Sequence, residues 1–226
     1  DVSVRASLNG RVLSAPVRVT DPSYPASDGV SFLGFLGVDE HALTFGVLGL
    51  ARIGSLVEIR VPVSGWFPFQ GADDWYTYIG ADGFAGQGRE IGPCTARILP
   101  DLLGIGADAY LMMRGRGIAS WPHGRELPGA PMTLVDGFVV AFGFAVQASV
   151  GPRPIAWAEL YLSLDLLVGA RPPTLSGFGR ARGSLHLGPC SIGVTAQMTF
   201  LAQGRATYLW AQVTGRVELL FFDLER

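Results

Sequence analysis

The chain has 226 residues, of which 49% are hydrophobic and only 16% are charged, and its formal net charge is −2. A chain of this length forms one large domain or two small ones and buries a sizeable core. All of its basic residues are arginines, scattered singly, so no basic stripe is available to neutralise a nucleic acid. Because charges are few, we expect apolar surface to face something other than water.

The first segments alternate in the way that is typical of β-strands. Val2–Leu8 places apolar residues on every second position, and Asn9-Gly10 supplies the two positive-φ residues of a tight hairpin turn. Residues 30–38 and 42–50 are apolar runs interrupted by glycine, which we interpret as strands, and residues 55–63 return to clear alternation. The chain opens at Asp1 inside a strand pattern, so we expect a processed form or a piece of something longer.

Residues 64–95 crowd aromatic side chains among glycine, proline and aspartate, and regular structure is expected to be sparse there. We select as candidate binding residues Trp66, Phe67, Phe69, Trp75, Tyr76 and Tyr78. Such side chains can stack on sugar rings or anchor a protein partner. The alternative, which we favour, is a loop that packs its aromatic side chains under itself as a small satellite core.

Long strands are predicted for the last ninety or so residues. In residues 156–168 a leucine-rich face alternates with a mixed one, while in residues 138–148 a large apolar face opposes a small one. The small face suggests burial on both sides of the strand, or close approach of another layer over the small face. The apolar positions change from odd to even numbers at Gly188-Pro189, which predicts a bulge or a corner there.

The tripeptide Gly-Pro-Cys occurs at residues 92–94 and again at residues 188–190. We interpret it as a trace of two related halves, about 30–130 and 131–226, within a single domain 1–226, although a chance match explains it equally well. Cys94 and Cys190 are then a candidate disulfide. The alternative, which we favour, is that each is a small buried hydrophobic residue.

The residues offer little reactive chemistry. The three histidines lie far apart without a second ligand nearby, so no metal site and no cofactor is predicted. Asp73 and Asp74 are adjacent acidic residues in a glycine-rich segment, and such residues are usually solvated turn formers. No nucleophile elbow, phosphate loop or dinucleotide fingerprint is present. The sequence therefore predicts a protein that is not an enzyme.

Three segments resemble an uncharacterised domain of very large β-rich proteins from actinobacteria, myxobacteria and fungi. They are RVPVSGWFPFQGADDWYTYIG, GPCTARILPDLLGIGADAYLMMRGRGI and ARPPTLSGFGRARGSLHLGPCSIG, and the likeness rests on the placement of glycine and aromatic residues. No activity is assigned to that family. The resemblance implies a module of a larger protein or assembly.

The predicted fold is all-β, a large antiparallel, strongly curved or two-layer sheet (sandwich or barrel-like) with long strands and minimal helix. We expect a structural or assembly module, part of an extracellular, cell-surface or filamentous bacterial assembly held together by apolar strand faces and edges. Its partners would be copies of itself or neighbouring domains. The candidate assembly residues, on two terminal strands, are Val2, Val4, Leu8, Val217, Leu219 and Phe221.

Three other functions remain as alternatives. A carrier of apolar ligands would use the leucine and phenylalanine faces to line a groove for lipid. A membrane-spanning sheet ranks lower, because both faces of residues 138–148 are apolar and a polar lumen is not evident there. A hydrolase ranks last, because no acid, base or nucleophile stands out.

Overall fold

A computed structural model describes residues 2–8, 11–14, 28–71, 73–80, 94–98, 104–118, 135–219 and 222–225. Within these residues there are fourteen strands and no helix, which confirms the predicted all-β fold with long strands. The strands are β1 (Val2–Leu8), β2 (Arg11–Ser14), β3 (Gly29–Val38), β4 (Ala42–Ile53), β5 (Val57–Pro68), β6 (Tyr76–Ile79), β7 (Cys94–Ile98), β8 (Gly104–Arg114), β9 (Asp136–Val150), β10 (Ala156–Arg171), β11 (Thr174–Leu187), β12 (Cys190–Gln203), β13 (Ala206–Leu219) and β14 (Phe222–Glu225).

All the described strands belong to one sheet, and strands that follow each other along the chain are mostly neighbours in it. From β8 to β14 every connection joins adjacent antiparallel strands. β6 and β7 together occupy one place between β5 and β8, and β1 is parallel to β3. Of the two predicted arrangements, the described strands therefore form the single large sheet and not two packed layers.

Pairing keeps the alternation of each strand in step with its neighbours. Val146, Leu162, Ala181, Ala196 and Val213 lie directly opposite one another across β9 to β13. Directly paired residues share a face of the sheet. One face therefore collects the apolar positions of every strand, and the other collects the polar positions.

The change of register predicted near Gly188 is a hairpin turn. Leu187 at the end of β11 pairs with Cys190 at the start of β12, so only Gly188 and Pro189 connect the two strands. Gly188 has a φ of 57°, which glycine adopts without steric cost. Apolar positions move from odd to even numbers because a two-residue turn reverses the strand, and no bulge is needed.

The turn between β3 and β4 is closed by one carboxylate. Asp39 Oδ1 accepts the backbone N–H groups of His41 and Ala42, each at 2.8 Å. These two hydrogen bonds favour the ionised form and hold the pKa of Asp39 below its ordinary value.

Aromatic rings cover several glycines of the sheet. Phe45 lies over Gly65, and Phe200 lies over Gly177, each from the paired position of the next strand. On the small face of β9, a Cβ at Gly143 would meet the side chains of Asp165 and Tyr110. The small face of β9 is thus largely buried by side chains of neighbouring strands, which confirms the burial predicted for that side, and no further layer covers it among the described residues.

The buried core is small and lies on the polar side of the sheet. Its members are Tyr78, Tyr110, Met112, Ile118, Val135, Val139, Ala141 and Leu167. Among the described residues, thirteen hydrophobic residues are buried, whereas thirty large hydrophobic residues are exposed. Most of the large apolar side chains of the described residues therefore lie outside the core.

Candidate functional site

One face of the sheet, called the apolar face below, carries no charged side chain. It consists of the even positions of residues 30–38, the odd positions of residues 43–53, 57–67 and 105–113, the even positions of residues 138–150 and 156–168, the odd positions of residues 175–187, the even positions of residues 190–202 and the odd positions of residues 207–219. Every one of these positions is apolar, glycine, cysteine or threonine. An uncharged face that extends over nine strands is the dominant surface feature of the molecule.

Large side chains on the apolar face are open to the surroundings. Val213 is 72% exposed, Leu209 70% and Phe32 68%, while Leu162, in the middle of β10, is 46% exposed. Contiguous apolar patches beyond a few hundred Å² are rare on soluble monomers and mark contact with a partner or a membrane. The apolar face has the exposed apolar side chains that such contact surfaces show.

The apolar face has a defined height along the strands. On β10 it extends from Ala156 to Val168, about 40 Å of strand at roughly 3.3 Å per residue. Charged residues follow at both ends, Arg153 in the turn before β10 and Arg171 at its last position. At the tilt of about 40° that is common for membrane strands, this length spans about 30 Å, the thickness of a bilayer's hydrocarbon core.

A row of aromatic rings borders the apolar face at one end of the strands. Phe45 stacks on Phe67 with ring centroids 6.1 Å apart, Phe67 stacks on Trp75 at 6.0 Å, and Trp75 contacts Phe138 at 6.0 Å. These four residues, called the aromatic row, lie near the ends of β4 and β5, before β6 and at the start of β9. Aromatic side chains at this level are typical of the interface between hydrocarbon and lipid headgroups.

The predicted aromatic binding residues do not form one site. Phe67 and Trp75 belong to the aromatic row, whereas Trp66, Tyr76 and Tyr78 lie on the opposite, polar face. Tyr78 is fully buried in the core there. The remaining member, Phe69, is 59% exposed just after β5. Within the described part of residues 64–95, strand structure covers residues 64–68, 76–79 and 94–95, and residues 72 and 81–93 lie outside the described residues.

The predicted assembly strands are edges of the described sheet over part of their length. Val2 and Val4 pair only with β3, because pairing with β2 begins at Arg5, whereas Leu8 pairs with Arg11 of β2. Val217 and Leu219 lie between β12 and β14, but residues 206–215 of the same strand pair only with β12. Phe221 falls outside the described residues. Among the described strands, residues 206–215 therefore leave backbone groups with which a neighbouring chain can pair.

The candidate disulfide is not formed. Cys94 and Cys190 are both free, and each begins a strand at a position on the apolar side. Four strands, β8 to β11, separate β7 from β12, which amounts to roughly 24 Å along the sheet at about 4.8 Å per strand. A disulfide requires Cα atoms within about 7 Å.

The opposite face, called the polar face, holds the charged and hydroxyl side chains of the same strands. Tyr110 Oη donates to Asp165 Oδ1 at 2.8 Å in a buried position. Gln197 Nε2 donates to Gln212 Oε1 at 2.9 Å, and Arg180 Nη2 donates to Gln197 Oε1 at 3.1 Å. These hydrogen bonds form two groups, one between β8 and β10 and one that joins β11, β12 and β13. The members of both groups point to the same side of the sheet.

The polar face curves around a cavity of about 950 Å³. Residues from β7 to β13 border it, so the polar face is concave and the apolar face is convex. Five arginines line the cavity, namely Arg97, Arg153, Arg180, Arg182 and Arg216, together with the two carboxylates of Glu159 and Glu218. Glycine in the lining leaves space for neighbouring side chains, since a Cβ at Gly106 would lie 3.0 Å from Gln147 Nε2.

The described part of the chain contains no group of three or more histidine, cysteine or acidic residues able to hold a metal ion. No helix long and apolar enough to cross a membrane occurs in that part. Comparison with protein-family models, curated proteins and solved structures gives no match. The two faces must therefore be interpreted from their own chemistry.

The sequence contains the separation of charged from uncharged positions, but this pattern is visible only when all the strands are considered together. Taken singly, β9 shows two apolar faces, because its polar side carries Val139, Ala141 and Gly143. The charged side chains of the polar face come from the strands beside it, such as Asp165 of β10. Tabulating charges by face over all strands, and not within one strand, would have revealed the asymmetry.

Proposed function

We propose that this protein is a membrane-embedded sheet, whose convex apolar face contacts lipid hydrocarbon and whose concave polar face lines a water-filled space. The observation that carries the proposal is the absence of charge from the apolar face over nine strands, while every described charged residue within those strands points to the polar side or lies at a strand end. Apolar-out and polar-in alternation is the pattern of strands that span a bilayer.

Energetics favour lipid over water as the surroundings of the apolar face. A large side chain that is about half exposed forgoes roughly 1 kcal/mol of burial, so some twenty-five of them forgo on the order of 25 kcal/mol. That exceeds the net stability of about 5–15 kcal/mol that is typical of a folded domain. Hydrocarbon removes this cost without a shape-matched partner for the side chains, and the aromatic row supplies the interfacial anchor that a bilayer favours. The free backbone groups at the edges of the sheet would have to pair with further copies, because hydrocarbon cannot satisfy them.

This proposal reverses the order that the sequence alone favoured. The sequence ranks a membrane low because both faces of residues 138–148, taken alone, are apolar. At Gly143 of β9, however, the polar side chains of Tyr110 and Asp165 extend from the neighbouring strands over the space that a Cβ would fill. This supports a polar side at this part of the sheet.

Assembly with further copies of the chain is the second candidate. It is favoured by the free edge of β13, since residues 206–215 pair only with β12 among the described strands. In that case the apolar faces of two copies would cover each other in water. A carrier of apolar ligands gains less support, because the concave surface is lined by arginine, glutamate and hydroxyl groups and the apolar face is convex.

Quenching of single tryptophans by brominated lipids tests the proposal. One variant keeps only Trp75 of the aromatic row, and the matched variant keeps only Trp157, which stacks on His186 on the polar face at 4.3 Å. After mixing with vesicles and flotation, we expect strong quenching of Trp75 and little of Trp157. A chain that stays out of the floating fraction and forms a discrete oligomer by light scattering would support assembly and contradict the membrane proposal.

A further inference from the structure

The cavity on the polar face carries an excess of positive charge. Arg153 pairs with Glu159 at 2.5 Å, and Arg216 pairs with Glu218 at 2.7 Å, so both carboxylates of the lining are matched by an arginine. Three lining arginines remain, Arg97, Arg180 and Arg182. Within the described residues none of these three forms an ion pair.

The three arginines without an ion pair among the described residues lie on nearby cross-strand rows of the polar face. Arg97 and Arg182 lie on the same row, with Gly106, Gln147 and Tyr161 between them. Arg180 lies two residues further along β11, where its guanidinium donates to Gln197 Oε1. All three arginines border the same cavity.

Guanidinium groups without carboxylate partners, surrounded by hydroxyl donors, are suited to oxyanions. An arginine offers a planar fork of N–H donors that matches carboxylate or phosphate oxygens, and it stays charged at any physiological pH. Ser184, Thr195 and Thr214 border the same cavity and can donate further hydrogen bonds. A cation entering this volume would meet three charges of its own sign.

We propose that the cavity selects small anions, with phosphate and carboxylate compounds as the class that it binds. This inference rests on the proposed function in one respect, because the cavity is a polar passage for ions only if the sheet is embedded in a membrane. The arginines themselves are properties of the fold and do not depend on lipid. Selectivity follows from charge, since removing one unit charge about 7 Å from an ion in a water-filled space changes that ion's local concentration about threefold.

The first test is the zero-current potential of the full chain in a planar lipid bilayer under a KCl gradient. We expect chloride to be more permeant than potassium, and a variant with Arg97, Arg180 and Arg182 changed to Gln to lose that preference. The corresponding Lys variants, which keep the charge, should retain it. Arg205→Gln in the turn between β12 and β13 is the control, because it removes one charge far from the cavity lining. Cation preference of the unchanged protein, or no effect of the triple variant, would overturn the inference.

A second measurement decides the question even if no current is seen. Phenylglyoxal modifies accessible arginines, and mass spectrometry locates the modified sites. We expect inorganic phosphate to protect Arg180 and Arg182 several-fold while leaving Arg205 unaffected. Equal modification with and without phosphate refutes anion binding. Failure of the protein to float with vesicles contradicts the membrane proposal instead, so the two failures are distinguishable.

Discussion

Placing an arginine at the centre of the apolar face gives the sharpest test of what that face contacts. Leu162 lies midway between Ala156 and Val168, about 20 Å along the strand from either end. At a tilt of about 40° this corresponds to roughly 15 Å of depth, the middle of a bilayer. Leu162→Arg should then destabilise the inserted protein by about 2–4 kcal/mol.

Val168→Arg is the matched control for depth. Both side chains are 46% exposed, lie on the same strand and point to the same face, but Val168 is close to the charged end of β10. The same substitution near the interface costs only about 0–1 kcal/mol. Gln147→Arg, on the polar face, adds a control in which the charge enters the water-filled side.

The assay is urea-induced unfolding from phosphatidylcholine vesicles, followed by tryptophan fluorescence. The free energy of unfolding of Gln147→Arg should be close to that of the unchanged protein. It should be slightly lower for Val168→Arg and lowest for Leu162→Arg. If the face were merely exposed to water, equal exposure would give equal effects of about 0.5 kcal/mol or less at Leu162 and Val168. Equal values, or a gain in stability at Leu162, would refute the reasoning.

Three further results are expected. Gly143→Val should destabilise by about 1–3 kcal/mol in thermal or urea unfolding, because its Cβ would lie 2.7 Å from Tyr110 Cε1, while Gly183→Val, with nothing within 4 Å of the new Cβ, should be near neutral. Trp75→Ala should weaken vesicle partitioning measured by flotation, and unchanged partitioning would argue against an interfacial role for the aromatic row. Because the pKa of Asp39 is lower in the folded state, its contribution to stability is present above the unfolded value of about 3.9 and is lost as the pH falls through the folded pKa. Asp39→Ala should therefore reduce the loss of unfolding free energy at acid pH. An unchanged loss would contradict the assignment of this pH dependence to Asp39.

Local patterns were sufficient for much of the architecture. Period-two alternation in residues 138–148 and 156–168 corresponds to β9 and β10, and the hairpin of β1 and β2 was predicted from its turn signal, although Asn9 and Gly10 lie outside the described residues. Alternation is a property of each strand alone, so it survives without knowledge of its neighbours.

Pairing between distant strands was beyond such patterns. The parallel contact of β1 with β3 joins two strands that no local pattern relates, and it leaves Val2 and Val4 on an edge that β2 does not cover. The split of Trp66 and Phe67 between opposite faces also follows from strand register and not from aromatic composition. The cavity depends on residues from seven strands, and no window of sequence contains them together.

The succession of hairpins from β8 to β14 makes the width of the sheet adjustable. β11 and β13 run in the same direction, and both carry their apolar positions on odd numbers. If β11 and β12 were deleted together, β13 could pair with β10 in their place without exchanging the two faces. Gene duplication or loss of a two-strand unit would thus widen or narrow the concave space while every remaining strand keeps its polar positions on the same face. Loss of β11 and β12 would also remove Arg180 and Arg182, so a change in width would change the charge of the lining.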